Sequence, residues 1–277
     1  MKRFVRLRLR RRIREEAARS RPVEPAELTA ALRRLGVRPG EALLVHSGMD
    51  ALRPVRGGPV AILAALREAV GPGGTLLMPA FPFAERMRAY VATRPGFDPA
   101  KTPSRVGLLT EVFRRMPGVE RSLHPTHSVA ALGPEAAALV RDHHRAPLAF
   151  GPGTPFTRLA ERGGRVLMLG VSIERLTLVH AAEDALGDAF PVAVYAPGAV
   201  PLPVVVRGES VTVEVRVHDP AVSARRSIPG IVPPLEKRGV VRRGRVEAID
   251  LILIDAAGLL DFLVNEGRRG RTIYGDF

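Results

Sequence analysis

His180 and Glu183 stand three residues apart in the segment TLVHAAEDAL. On a helix that spacing puts both side chains on one face. A neutral imidazole beside a carboxylate is a general base: the carboxylate fixes the ring tautomer and stabilises the imidazolium once a proton has been taken. The plainer reading of the same spacing is a pair on a helix surface, because such pairs are common. His124 and His127 are also three apart, in RSLHPTHS at 121–128. A metal reading there needs a third ligand and a helix, and Pro125 argues against the helix. The stretch reads instead as a polar loop lining a cleft, and no metal is expected. The adjacent His143 and His144 read as surface or helix-end residues.

Two more segments offer chemistry of a binding kind. His46-Ser47-Gly48 closes an apolar run, where small residues let a ligand approach the backbone. Thr102-Pro103-Ser104-Arg105 combines hydroxyls, free N–H groups and a guanidinium, a set suited to phosphate or a chain of amides. Other chemistries lack their residues. The glycine-rich turn at 71–74 matches neither the dinucleotide pattern nor the P-loop. There is no GxSxG elbow. The chain has no Cys, so it has no disulfide and no cysteine nucleophile.

These residues need elements to hold them. Leu28, Leu32 and Leu35 recur at helical spacing over 24–35, with Gly36 as the stop. Residues 41–46 and 75–78 are short apolar runs typical of buried strands, with a helix over 62–70 between them. Further strands are expected at 128–132 and 165–171, and helices at 106–116, 134–143 and 177–187. From about residue 192 the pattern changes. Val211, Val213, Val215 and Val217 alternate with polar residues, a half-exposed strand after a hairpin turn at Arg207-Gly208-Glu209. A last strand at 249–254 leads into a helix capped by Asp255. The expected fold is α/β: three layers, α/β/α, with a mostly parallel central sheet and an antiparallel C-terminal subdomain. His180 then falls just beyond the carboxyl end of a parallel strand, where such sheets place their ligands.

Charge divides the chain unevenly. Residues 1–21 hold ten Lys/Arg and two Glu, a net of +8, out of +14 overall. A basic arm over 1–22 is therefore set apart from one domain over 23–277, itself made of a 23–190 core and a 191–277 C-terminal part. Phe4, Val5, Leu7, Leu9 and Ile13 interleave the arm's charges, which suits peripheral contact with an anionic membrane; a solvated helix is the alternative. Nucleic acid is not the expected partner, since no RNA-binding motif accompanies the run and only three Tyr and no Trp are available for stacking. No apolar run is long enough to span a membrane and the basic start lacks the core of a secretory signal, so a cytoplasmic location is expected.

Several blocks in fixed order carry a resemblance: LLVHSGMDAL at 43–52, VGPGGTLLMPAF at 70–81, FDPAKTPSRVGLLTEVFRRMPG at 97–118, RSLHPTHSVAALG at 121–133, FGPGTPF at 150–156, and VLMLGV followed by TLVHAAE within 166–183. The sequence resembles the aminoglycoside 3-N-acetyltransferase family over roughly 25–190. The resemblance implies an acyltransferase with acetyl-CoA as donor and an amino group on a sugar as acceptor. It places the catalytic histidine on His180, with Glu183 beside it. The CoA-facing segments fall on Ser47, Gly48, Met49, Thr102, Ser104 and Arg105. Acceptor contacts are expected at His124, His127 and Asp184, and a homodimer fits the same reading.

Two departures bear on the acceptor. Family members usually carry a second Ser where this chain has Gly48. After the second strand they have a polar, acidic segment, whereas FPFAERMRAYVATRPG at 81–96 carries more Arg than acid, poorly suited to a polycation. An amino sugar or sugar nucleotide fits better than the drug in the family's name. A second acid from the C-terminal part is expected at Glu214 or Asp219. The competing reading is a non-catalytic protein on the same scaffold, tethered to membrane or nucleic acid through the basic arm.

Overall fold

The computed structural model describes residues 2–84, 87–275 and 277, with the backbone alone for 2–7, 9 and 10. Helix α1 spans Lys2–Arg19. Its final turns rest on the body, where Arg14 meets Asp50 at 2.8 Å, Glu16 pairs with Arg245 and Ala17 is buried. The apolar side chains Phe4, Val5, Leu7 and Leu9 lie outside the described residues. Helix α2, Pro25–Leu35, begins in a capping box between Glu24 and Glu27, with Pro at its first turn. Gly36 ends it in the left-handed region at φ 116°, which a glycine adopts without strain.

Strand β1 is Ala42–Ser47 and β2 is Thr75–Pro79, joined through α3, Gly58–Val70. Helices α4 (Met87–Ala92) and α5 (Leu108–Phe113) precede β3 (Glu120–Arg121) and β4 (Val129–Leu132). Helices α6 (Ala136–Val140) and α7 (Pro155–Glu161) lead to β5 (Arg165–Leu169), and α8 (His180–Leu186) follows it. The remainder is β6 (Val200–Val206), β7 (Glu209–Val215), α9 (Pro220–Arg225), α10 (Val232–Lys237), β8 (Val241–Val246), β9 (Ile249–Asp255) and α11 (Ala256–Arg268).

Seven strands form one sheet in the order β3-β4-β2-β1-β5-β9-β8. Pairing is parallel at the centre, β2–β1–β5, and antiparallel on both flanks. The C-terminal strands divide between two places. The hairpin β8–β9 continues the main sheet alongside β5, while β6–β7 stands as a separate two-stranded sheet. Its turn, Arg207-Gly208, has φ of 52° and 88°, the two positive values that match a hairpin's twist.

Strand alternation explains the layers. Leu44, Leu77, Val166, Met168, Ile252 and Ile254 face α7, α8 and α11. Their neighbours Leu43, Val45, Leu76, Leu167, Leu169 and Leu253 face α2, α3 and α5. Two buried faces on one sheet require a helical layer on each, the α/β/α arrangement expected from the apolar runs. A third cluster packs Val91 and Phe97 against the inner face of β6–β7. No helix among the described residues is long and apolar enough to cross a membrane.

Candidate active site

Strand β5 ends at Leu169, and the chain turns at Gly170 and through two short 3-10 segments before α8 opens at His180. Helical spacing brings Glu183 under the imidazole: Nδ1 of His180 lies 2.9 Å from Oε2 of Glu183. The other ring nitrogen, Nε2, is 2.9 Å from Nη1 of Arg226. A guanidinium only donates, so Nε2 carries the lone pair and Nδ1–H donates to the carboxylate. That is the tautomer a general base requires.

Glu183 is held from three sides. Nε2–H of His218 donates to Oε2 at 3.1 Å, and the Tyr274 hydroxyl donates to Oε1 at 2.7 Å. Asp184, the next residue, accepts from the Tyr195 hydroxyl at 2.6 Å and from the Phe150 amide at 2.9 Å. The rings of His180 and His218 lie 4.6 Å apart, and Phe150 closes one wall, 5.2 Å from His180 and 4.8 Å from His127. The ligand atoms of His180, Glu183 and His218 fall within 4.8 Å of one another, the one such group among the described residues. Here one ring nitrogen of each histidine presents its proton to the carboxylate.

Burial sets the electrostatics. It pushes His180 below the ordinary imidazole range, against the opposing charge and hydrogen bond of Glu183, so the ring is neutral near pH 7. Burial alone would raise Glu183, but the charges and hydrogen bonds of His180 and His218 outweigh it and hold the carboxyl well below the usual range. Burial raises Asp184 to about 6, against its two hydrogen bonds.

The loops around this centre are the ones that carried polar residues in the sequence. Thr177, one turn before His180, lies 3.4 Å from Nε2 of His46 at the exit of β1. Gly48 follows at once; a Cβ there would sit 2.4 Å from the Gly170 carbonyl oxygen. The absent side chain therefore serves the close approach of the β1 and β5 exits. The segment 98–105 is clamped by Arg121, whose guanidinium donates to the carbonyls of Ala80, Pro99 and Thr102 and to Oγ of Ser128. The Arg105 amide donates to the Phe81 carbonyl at 2.8 Å, and the Phe81 ring meets His127 at 4.8 Å. Ser104 is buried with its Oγ unpartnered among the described residues. The chain of contacts from Ser104–Arg105 through Phe81, His127 and Phe150 to His180 thus joins the expected donor, acceptor and base positions along one edge of the sheet.

Some expectations change. His143 is fully buried, bridging Oγ of Ser122 and the Ala149 carbonyl at 2.9 Å each, because a left-handed Asp142 turns it inward. Glu214 is exposed on β7 and Asp219 caps α9 through the Ala221 amide. The C-terminal part supplies His218, Arg226 and Tyr274 to the site instead. His124 is buried, and its Nδ1 accepts from the amides of Thr126 and His127, so its role begins as the brace of the 124–127 turn.

The comparisons with known proteins agree with this architecture. The family model for aminoglycoside 3-N-acetyltransferase matches residues 44–266. Aminoglycoside N(3)-acetyltransferase VIII of Streptomyces fradiae is 36% identical over 281 residues, covering 92% of this chain and 96% of its own. The structure of AAC-IIIb with CoASH superposes with a TM-score of 0.72 at 30% identity, over 90% of this chain and 98% of that one. A sisomicin-bound AAC-VIa gives 0.73 at 29% identity, over 91% and 100%. With the family model over most of the chain, the shared fold and this breadth of match, the chain belongs to the aminoglycoside 3-N-acetyltransferase family.

Proposed function

We propose that this protein transfers an acetyl group from acetyl-CoA to the amine of an amino sugar or aminoglycoside, with His180 as general base. The observation that carries the reading is the tautomer of His180: Nδ1–H held by a buried carboxylate, Nε2 left with its lone pair at the carboxyl edge of the parallel strands. The acceptor amine attacks the thioester carbonyl carbon as its proton passes to Nε2 of His180. The new N–C bond forms, the C–S bond breaks, and the proton then reaches the departing thiolate to give CoASH. Glu183 orients the ring and stabilises the imidazolium; His218 and Tyr274 fix Glu183.

CoA is supported by the residues at hand. Ser104 offers a buried hydroxyl with no partner of its own, beside Thr102 and Arg105 on a segment that Arg121 holds rigid. Ser47, Gly48 and Met49 complete the same rim, and the AAC-IIIb relative binds CoASH. His127 and Asp184 lie on the acceptor side, with His124 behind them. A reaction that consumes acetyl-CoA suits the cytoplasm. The 1–22 arm is the part suited to an anionic lipid surface, through the exposed Arg8, Arg11 and Arg12 of α1.

Thiol release from acetyl-CoA, measured with an aminoglycoside and with amino-sugar acceptors side by side, tests the reading. His180→Ala abolishes release while leaving the unfolding midpoint within the wild-type range. Retained turnover in that variant would falsify the mechanism. Salt-sensitive binding through 1–21 without any CoA-dependent chemistry would favour the tethered, non-catalytic alternative.

A further inference from the structure

The nitrogen that must take the proton is covered before any substrate arrives. Arg226, on the loop after α9, donates from Nη1 to Nε2 of His180 at 2.9 Å and from Nη2 to the Glu174 carbonyl at 3.2 Å. A lone pair engaged in that bond is closed to an incoming proton. A proton placed on Nε2 would also stand against the guanidinium, one cation facing another. His180 therefore works as a base only after Arg226 has moved aside.

The contact is one that can be given up. Arg226 is half-buried and pairs with no carboxylate among the described residues; its two side-chain bonds go to a neutral ring and a neutral carbonyl. The carboxylates beside His180 remain to attract a different cation. Glu183 and Asp184 are both ionised near pH 7. Each oxygen of Asp184 accepts one bond, from Tyr195 or from the Phe150 amide, so each keeps a lone pair. An acceptor bearing ammonium groups is drawn to this negative charge. Its arrival brings positive charge close to Arg226 and favours the departure of the guanidinium. Water brings no charge and leaves the cover in place.

We propose that Arg226 decides which nucleophile His180 serves: it covers Nε2 against water and yields the position to an ammonium-bearing acceptor. This rests on the acetyl-transfer reading above and adds a specificity-determining residue to it. The reaction held back is hydrolysis of the donor. In that reaction the water oxygen attacks the thioester carbonyl carbon while its proton passes to Nε2. The C–O bond forms, the C–S bond breaks, and the proton reaches the thiolate, giving acetate and CoASH.

The test needs no acceptor. Acetyl-CoA hydrolysis is followed by thiol release in the wild type, Arg226→Ala, Arg226→Lys, and Arg226→Ala combined with His180→Ala. In parallel, diethyl pyrocarbonate, which acylates a free imidazole lone pair, is used to label each protein, and the modified histidines are mapped by mass spectrometry. Arg226→Ala is expected to hydrolyse acetyl-CoA about 10–100-fold faster than the wild type, the range of a hydrogen bond from a charged donor. Labelling of His180 speeds up with it, while His124 and His127 keep their wild-type rates. Arg226→Lys falls between, and the combined variant returns to the wild-type hydrolysis rate or below. No rise in hydrolysis or no rise in His180 labelling overturns the inference. So does a rise that survives the loss of His180, or labelling that increases equally at His124 and His127, which marks a general opening of the site. The acetyl-transfer reading fails on a different result, transfer to an amine acceptor that persists in His180→Ala, and the labelling of His180 still reports on Arg226 in that case.

Discussion

At the scale of single residues, the centre depends on a carboxylate that answers three donors at once. Glu183→Gln keeps the volume but removes the charge that stabilises the imidazolium. It is expected to lower kcat by about 10²–10⁴-fold, the range of acid–base assistance. The pH profile gives a second readout. His180 titrates below the ordinary imidazole range because of burial, with Glu183 pulling it back up. The acid limb of kcat/KM therefore lies below about 6.5, and Glu183→Gln moves it lower still; a limb that rises in the variant would contradict the assignment. The pair itself was visible in the sequence as an i,i+3 spacing. His218, Arg226 and Tyr274 were not, because they reach Glu183 and His180 across 35, 46 and 91 positions of chain. No local period records such a meeting. The alternating valines before His218 showed a strand and drew attention to the acids beside it, Glu214 and Asp219, which point elsewhere.

At the scale of elements, Arg121 is the joint between the sheet and the segment expected to receive CoA. Its burial costs it hydration and pulls it down to about 10, yet three carbonyls and a hydroxyl are organised around it. Arg121→Met leaves those carbonyls without a donor. A loss of about 1–3 kcal/mol in urea unfolding is expected, with a raised KM for acetyl-CoA and a smaller change in kcat. Gly48→Ser is expected to destabilise by about 1–3 kcal/mol because its Cβ would press on the Gly170 carbonyl. An unchanged melting temperature would show that the two exits separate freely. Buried strands and their helices were legible because continuous apolar runs such as VLML have few other fates. Strand β8 was not: Val241 and Val246 are buried, but Arg242, Arg243 and Arg245 between them give an edge strand the look of a loop. The direction of β4 was also hidden, since direction depends on how the chain returns and not on composition.

At the scale of the whole molecule, the histidines decide how the fold meets acid. Burial lowers His46 to about 4 and His143 to about 3, and holds His124 and His127 well below their usual value. The unfolded chain protonates these rings near pH 6.5 while the folded chain refuses the proton. Stability is therefore full above that pH and falls on acidification, down to about 4 for His46 and about 3 for His143. Each ring contributes a slope of about 1.4 kcal/mol per pH unit. Asp184, raised to about 6, opposes with the opposite sign between 6 and its unfolded value. The urea midpoint is expected to drop clearly from pH 7 to pH 5, and His143→Gln to flatten the drop. A midpoint independent of pH would mean the rings are hydrated in the native state. The seven histidines were plain in the sequence, but the burial of His46, His124, His127, His143 and His180 was not.

Strand β5 lies between β1 and β9, and β9 is made only after most of the chain has left the ribosome. Until residues 249–255 arrive, the wholly buried run Arg165–Leu169 is an open edge with unpaired amides and carbonyls, ready to recruit a second nascent chain. A longer delay keeps Tyr274 from Glu183. A slow codon cluster placed ahead of β9 is therefore expected to lower the yield of folded protein more than one placed after it, as measured by its recovery from matched expression cultures.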